Sequence, residues 1–115
     1  MMRHDAKSLA LFRAIQTKLA TAEDPHSYLR RSLDWARHFS LERPEDKWLA
    51  GWIPLLEDAL QSDEGMQRLF SVMLLEDDYG ITMRSSSPFP GVLTVKERTQ
   101  VLRDFERGWH DRRTA

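Results

Sequence analysis

Residues 44–75 read PEDKWLAGWIPLLEDALQSDEGMQRLFSVMLL, and this stretch decides the fold class. Its apolar side chains recur every three or four residues, which places them on one face of a helix, whereas the period of two that marks a strand is scarcely visible. Ser62, followed by two acidic residues, is a typical N-cap and divides the stretch into two helices. Pro54 cannot donate to the carbonyl group of Ala50, so we expect a kink or a break in the first helix, which begins at Pro44.

The same helical spacing continues on both sides of this stretch. Further amphipathic segments lie at about residues 5–22, 25–39 and 94–112. The last segment has the clearest beginning, because Thr94 and Glu97 have the spacing of a capping box, in which each side chain satisfies the amide of the other residue.

One long connection interrupts the helical pattern, at about residues 80–93, which are rich in serine and proline. The helix before it is predicted to end near Gly80. We therefore predict an all-α fold in a single domain that spans residues 1–115. It is a compact bundle of four to five helices with this one long loop before the last helix.

The composition excludes several classes of protein. The chain has 115 residues, no cysteine and a formal net charge of −1. Without cysteine, disulfide scaffolds, thiolate zinc sites and cysteine nucleophiles are excluded. The longest apolar run, residues 72–75, is far shorter than the roughly 20 residues of a membrane-spanning helix, so we expect a cytoplasmic protein with no membrane partner. The histidines are scattered and no phosphate-binding or nucleophile motif occurs, so we predict neither a metal site nor a cofactor.

Charge is unevenly distributed along the chain. Residues 1–31 hold six basic and three acidic side chains, residues 32–83 hold four and eleven, and residues 84–115 hold seven and four. The two ends are therefore basic and the middle is acidic. Such segregation either closes within the fold or faces a partner.

Three consecutive carboxylates, Glu76, Asp77 and Asp78, are predicted to lie at the C-terminal end of a helix, where the helix dipole disfavours negative charge. Either an arginine such as Arg84 compensates them, or the helix stops earlier and they are solvated, or they bind a basic partner or a cation. Two tryptophans one helical turn apart serve as core residues or as interface anchors. The predicted partner-binding residues are Glu76, Asp77, Asp78, Arg84, Trp48 and Trp52.

The last helix carries a basic strip, formed by Lys96, Arg103 and Arg107, which is the candidate phosphate-binding surface. An acidic strip lies directly beside it, which favours an ordinary solvated surface. Arg98 projects from the middle of the apolar face instead. Because an arginine keeps its charge on burial, we predict a structural ion pair between Arg98 and one of the carboxylates at positions 76–78.

The sequence contains no nucleophile, metal or phosphate-binding motif. We therefore favour a non-catalytic protein-binding helical module, such as an adaptor, an inhibitor or immunity-type protein, or an assembly subunit. Its partner is another protein, with a second copy of this chain, in a homodimer, among the candidates. The alternative is a nucleic-acid-binding protein that uses the basic strips of the first and last helices. A third interpretation is a small enzyme with a carboxylate and arginine site built from Asp77, Asp78, Arg84 and Arg98.

Overall fold

A computed structural model describes the backbone of residues 2–114 and the side chains of residues 2–110. Within these residues all regular structure is helical, which confirms the all-α prediction, but there are six helices rather than four to five. The molecule measures about 45 × 35 × 25 Å. The helices are α1 (Arg3–Thr21), α2 (Pro25–Glu42), α3 (Lys47–Gln61), α4 (Asp63–Met73), α5 (Asp78–Ser85) and α6 (Val95–Thr114).

Side-chain caps define most of the helix starts. Ser62 Oγ accepts the amide of Gly65 at 3.0 Å, as expected, and the capping box of Thr94 and Glu97 forms in both directions, at 3.1 and 2.8 Å. α3 begins three residues later than predicted. Asp46 is its N-cap and accepts the amide of Leu49 at 3.0 Å.

The sequence predicts a kink or a break at Pro54, and the structure shows no break, because α3 continues through this residue. Pro54 and Ala50 are both exposed, so water can solvate the Ala50 carbonyl group that lacks its helical donor. The opposite face of the helix carries Leu49, Trp52 and Leu56 into the core. Burial of that face outweighs the loss of one hydrogen bond at the surface.

The predicted fourth helix is in fact two helices, and the prediction of a loop at residues 80–93 is wrong in its first half. α4 ends at Met73, and Asp77 starts α5 by accepting the amide of Gly80 at 2.8 Å. A side chain at Gly80 would place its Cβ 2.1 Å from the carbonyl oxygen of Leu75, so only glycine permits this tight turn. The non-helical connection is confined to residues 86–94.

The core lies among the first five helices, with α3 packed between α2 and α4. The connection before α6 belongs to the core because Phe89 and Val92 are buried, and the ring of Phe89 packs edge-on against Phe12 and Trp52. α6 differs from the other helices. Among the described helices it packs against α1 alone, and none of its described side chains is fully buried.

Candidate functional site

The three consecutive carboxylates lie at the start of a helix and not at the end of one. Asp77 is the N-cap of α5, Asp78 is in its first turn, and Glu76 precedes it. The positive end of the α5 dipole therefore favours these charges, and the compensation that the sequence requires is already present. All three residues are exposed, and none has an ion-pair partner among the described residues. The helix before them therefore ends early, at Met73, as one of the sequence interpretations requires.

Arg84 does not pair with these carboxylates and is not available to a partner. It is 3% exposed, and its Nη1 donates to the carbonyl oxygens of Met73 and Leu75 at 3.1 and 2.5 Å. The Met73 carbonyl ends α4 and the Leu75 carbonyl lies just beyond it, so the guanidinium stabilises the negative end of that helix. Burial lowers the pKa of Arg84, and this effect is opposed by the nearby carboxylates of Asp5, Glu76 and Asp77, which act on it without a direct ion pair.

Of the two tryptophans predicted as candidate anchors, one lies in the core and the other lies at the surface. Trp52 has no exposed area, and its indole Nε1 donates to the carbonyl oxygen of Met83 at 2.9 Å. It is therefore excluded from direct partner binding. Trp48 is half-buried, and its ring lies edge-on to the ring of Tyr79, with 6.4 Å between the centroids. The ammonium group of Lys47 lies 5.1 Å from the centroid of the Trp48 ring.

Tyr79 is the surface residue that sequence reasoning missed. It is 45% exposed and directly follows the carboxylates. The spacing of an aspartate three residues before a glycine, Asp77 and Gly80, was the signal that could have revealed a helix start there. We refer to one contiguous surface as the acidic–aromatic surface. It consists of Trp48, Glu76, Asp77, Asp78 and Tyr79.

The predicted ion pair of Arg98 is absent, and that prediction is wrong. Arg98 is exposed, and no carboxylate among the described residues lies within ion-pair distance of it. α6 packs on α1 alone, so its apolar face is only partly covered and the guanidinium reaches water. With Arg84 buried and Arg98 solvated on another helix, the residues named for a carboxylate and arginine enzyme site do not converge.

The basic strip of α6 is exposed, and a lysine of α1 lies beside part of it. α1 and α6 run antiparallel, since Arg3 pairs with Glu106 at one end and Lys18 Nζ lies 2.6 Å from Glu97 Oε1 at the other. This arrangement brings the two basic ends of the sequence side by side. Lys7, Arg103 and Arg107 line one groove of about 520 Å³, whereas Lys96 is exposed elsewhere on the helix.

Another groove, of about 420 Å³, follows the other side of the α1–α6 pair. The rings of Phe105 and Trp109 stack along it at 5.8 Å, and Arg13 and Glu76 also line it. Glu76 therefore belongs both to this groove and to the acidic–aromatic surface. The two features form one continuous region of aromatic and carboxylate groups.

Within the part of the chain that the structure describes, no cluster of three or more histidine, aspartate and glutamate side chains is placed to hold a metal ion. No described helix is both long and apolar enough to cross a membrane. No protein-family model, no curated protein and no solved structure matches the chain.

Proposed function

We propose that the chain is a non-catalytic protein-binding module and that the acidic–aromatic surface receives a basic segment of its partner. One observation carries this proposal. The half-exposed ring of Tyr79 packs against Trp48 directly beside three exposed carboxylates. Rigid aromatic anchors surrounded by charged groups are typical of the energetically important parts of protein interfaces.

The chemistry of the surface favours arginine or lysine side chains in the partner. Lys47 already holds its ammonium group over the Trp48 ring, which supports the idea that this ring accepts a cation on its face. Glu76 and Asp78 make no side-chain hydrogen bond to a described residue, whereas Asp77 is used as a helix cap. Two carboxylates and the exposed ring of Tyr79 are thus available to a guanidinium or ammonium group of a partner.

The charge of the middle of the chain supports the same class of partner. Residues 32–83, which include the acidic–aromatic surface, carry eleven acidic and four basic side chains. A field of this sign steers a basic partner towards the surface and raises the association rate at low salt.

The test measures binding of a fluorescent arginine-rich decapeptide by anisotropy at physiological salt. We expect the Glu76→Lys/Asp78→Lys double variant and the Tyr79→Ala variant each to weaken binding about tenfold or more. Asp77 is left unchanged because it caps α5. The matched control is Glu23→Lys/Asp34→Lys, which reverses two exposed charges on other elements and should weaken binding by about twofold at most. Equal losses in the two double variants, both folded by circular dichroism, contradict the proposal.

A second candidate function is supported by the groove that Lys7, Arg103 and Arg107 share. Three cations from two adjacent helices suit the phosphate groups of a nucleic acid, and the one carboxylate that also lines the groove, Glu106, is paired with Arg3. The test is duplex DNA binding across a salt series. A steep loss of affinity between about 50 and 200 mM salt, removed by Arg103→Glu/Arg107→Glu, favours nucleic acid as the partner. No measurable duplex binding at the lower salt concentration leaves the protein-binding function as the better proposal.

A further inference from the structure

The segregation of charge along the chain, with two basic ends and an acidic middle, persists in the folded molecule. Some ion pairs join two groups of the ends, residues 1–31 and 84–115: Arg3–Glu106, His4–Asp5, Lys18–Glu97 and Arg107–Asp104. The others join two groups of the middle, residues 32–83: Arg37–Glu57, His38–Glu42 and Arg68–Asp58. Among the side chains of residues 2–110, no ion pair connects an end to the middle. The excess charges of both parts therefore remain for another molecule to neutralise.

Part of the excess negative charge lies on the acidic–aromatic surface. Glu76 and Asp78 are exposed and form no ion pair with a described residue. Two arginines lie near without pairing. Arg84 is buried and acts on Glu76 only at longer range, and Arg13 lines the same groove as Glu76 but is not within ion-pair distance of it. The exposed ring of Tyr79 beside these carboxylates also suits a cation.

Part of the excess positive charge lies in the groove that Lys7, Arg103 and Arg107 line, which we call the basic groove. Lys7 and Arg103 form no ion pair with a described residue. Arg107 lies 3.9 Å from Asp104, and both side chains are largely exposed, so this contact is weak. The half-buried Leu102 gives the groove an apolar wall, and its volume of about 520 Å³ has room for an aromatic side chain. The basic groove therefore complements the acidic–aromatic surface in charge and in shape.

The two surfaces cannot meet within one molecule. The basic groove follows positions 102, 103, 106 and 107 of α6, whereas Glu76 lies in the groove that follows positions 104, 105, 108 and 109. With 3.6 residues per turn, these two sets of positions are on opposite flanks of the helix. A contact between two different surfaces on opposite sides is heterologous, so it joins molecules head to tail and leaves one free surface at each end.

We propose that the partner of the acidic–aromatic surface is a second copy of this chain, whose basic groove receives it. This inference rests on the proposed function, because it uses the same surface and names the partner that supplies the basic groups. The contact is small and its charges are exposed. We therefore expect a weak association, with a dissociation constant on the order of 100 μM, that salt diminishes.

The experiment measures the mean molecular mass by sedimentation equilibrium, at protein concentrations from about 20 μM to 1 mM. In about 50 mM sodium chloride the mass should rise beyond that of a dimer, and in about 500 mM it should return towards that of the monomer. The variants Glu76→Gln/Asp78→Asn and Arg103→Gln/Arg107→Gln should each weaken association about fivefold or more. The matched controls, Glu23→Gln/Asp34→Asn and Arg30→Gln/Arg31→Gln, neutralise exposed groups elsewhere and should weaken it by about twofold at most.

A mixture of the two surface variants gives the sharpest test, because each variant retains one intact surface. Together they should form a dimer that neither forms alone, and nothing larger, since only altered surfaces remain free. Circular dichroism verifies that both variants are folded. A wild-type chain that stays monomeric overturns this inference, and so does equal weakening by surface and control variants, or a mixture no heavier than its separate components. If the monomeric wild-type chain still binds the arginine-rich peptide through the acidic–aromatic surface, the proposed function stands and only the identity of the partner is wrong.

Discussion

At the scale of single residues, Arg84 and Arg98 show that the surrounding structure decides whether a charged side chain is buried or solvated. Arg84 is buried although the sequence predicts it in a loop, and Arg98 is solvated although the sequence predicts it on an apolar face. The sequence predicts an ion pair for Arg98, because this residue interrupts the apolar face of its helix. It does not predict the burial of Arg84, because the acceptors of Arg84 are backbone carbonyl groups at the end of another helix.

The two arginines should therefore respond differently to replacement by methionine. Arg84→Met leaves the carbonyl groups of Met73 and Leu75 without a donor and should lower the free energy of unfolding by about 1 to 3 kcal/mol. Arg98→Met should change it by no more than about 0.5 kcal/mol, because that side chain has no described partner. Urea denaturation of both variants measures the difference. A larger loss for Arg98→Met contradicts the assignment.

Glu97 gives a second prediction at this scale, which concerns pH. The hydrogen bond from Lys18, followed by the bond to the Thr94 backbone, lowers the pKa of Glu97 from 4.5 to about 2. A lowered folded-state pKa stabilises the fold above about pH 4.5, and that contribution is lost as the pH falls through about 2. Glu97→Gln should therefore reduce stability at pH 7 and have less effect at pH 2. Because the pair is exposed, added salt should diminish the difference, and equal losses at both pH values would show that the charge contributes nothing.

At the scale of elements, local signals predict where helices begin and distant contacts decide where they end. Ser62, Thr94 and Glu97 act within four residues of chain, so their caps could be read from the sequence. The break between α4 and α5 could not. It depends on Arg84, which reaches back to the end of α4, and on the close approach of Gly80 to Leu75.

Contacts between residues that are distant in the chain also limited how much of the acidic–aromatic surface could be predicted. The carboxylates and Trp48 were identified from the sequence, but their grouping required the contact between Trp48 and Tyr79, which are distant in the chain. Trp52 has the same residue type and the same helical spacing as Trp48, yet it is buried. Only the packing of α3 between two other helices distinguishes them.

Two glycines test the account of the helix break. Gly80→Ala places a Cβ against the backbone of Leu75 and should cost about 1 to 3 kcal/mol of unfolding free energy. Gly108→Ala is the matched change on α6, where the added methyl group meets nothing within 4 Å. It should stabilise the fold by about 0.5 kcal/mol, since alanine is the better helix former. Thermal denaturation followed by circular dichroism ranks the two variants. Similar melting temperatures for both would mean that the turn before α5 is not tight.

At the scale of the whole molecule, the fold consists of a core of five helices and one outer helix. The outer helix, α6, lies beside α1, and both helices carry basic side chains. The ion pairs Arg3–Glu106 and Lys18–Glu97 join the two helices. The groups of both pairs are at least one-fifth exposed. The attachment of α6 therefore rests on half-buried apolar side chains and on charges that salt can screen.

This architecture predicts that α6 opens separately from the core. Backbone amides of α6 should exchange with deuterium faster than those of α3, whose apolar face is buried. Raising sodium chloride from about 50 mM to 1 M should accelerate exchange in α6 by screening its ion pairs, and should leave α3 almost unchanged. Exchange measured by mass spectrometry on peptides from each helix gives both rates. If both helices exchange together at low and high salt, α6 is part of one cooperative unit, and the apolar contacts of residues 101–109 must hold it more firmly than their partial burial indicates.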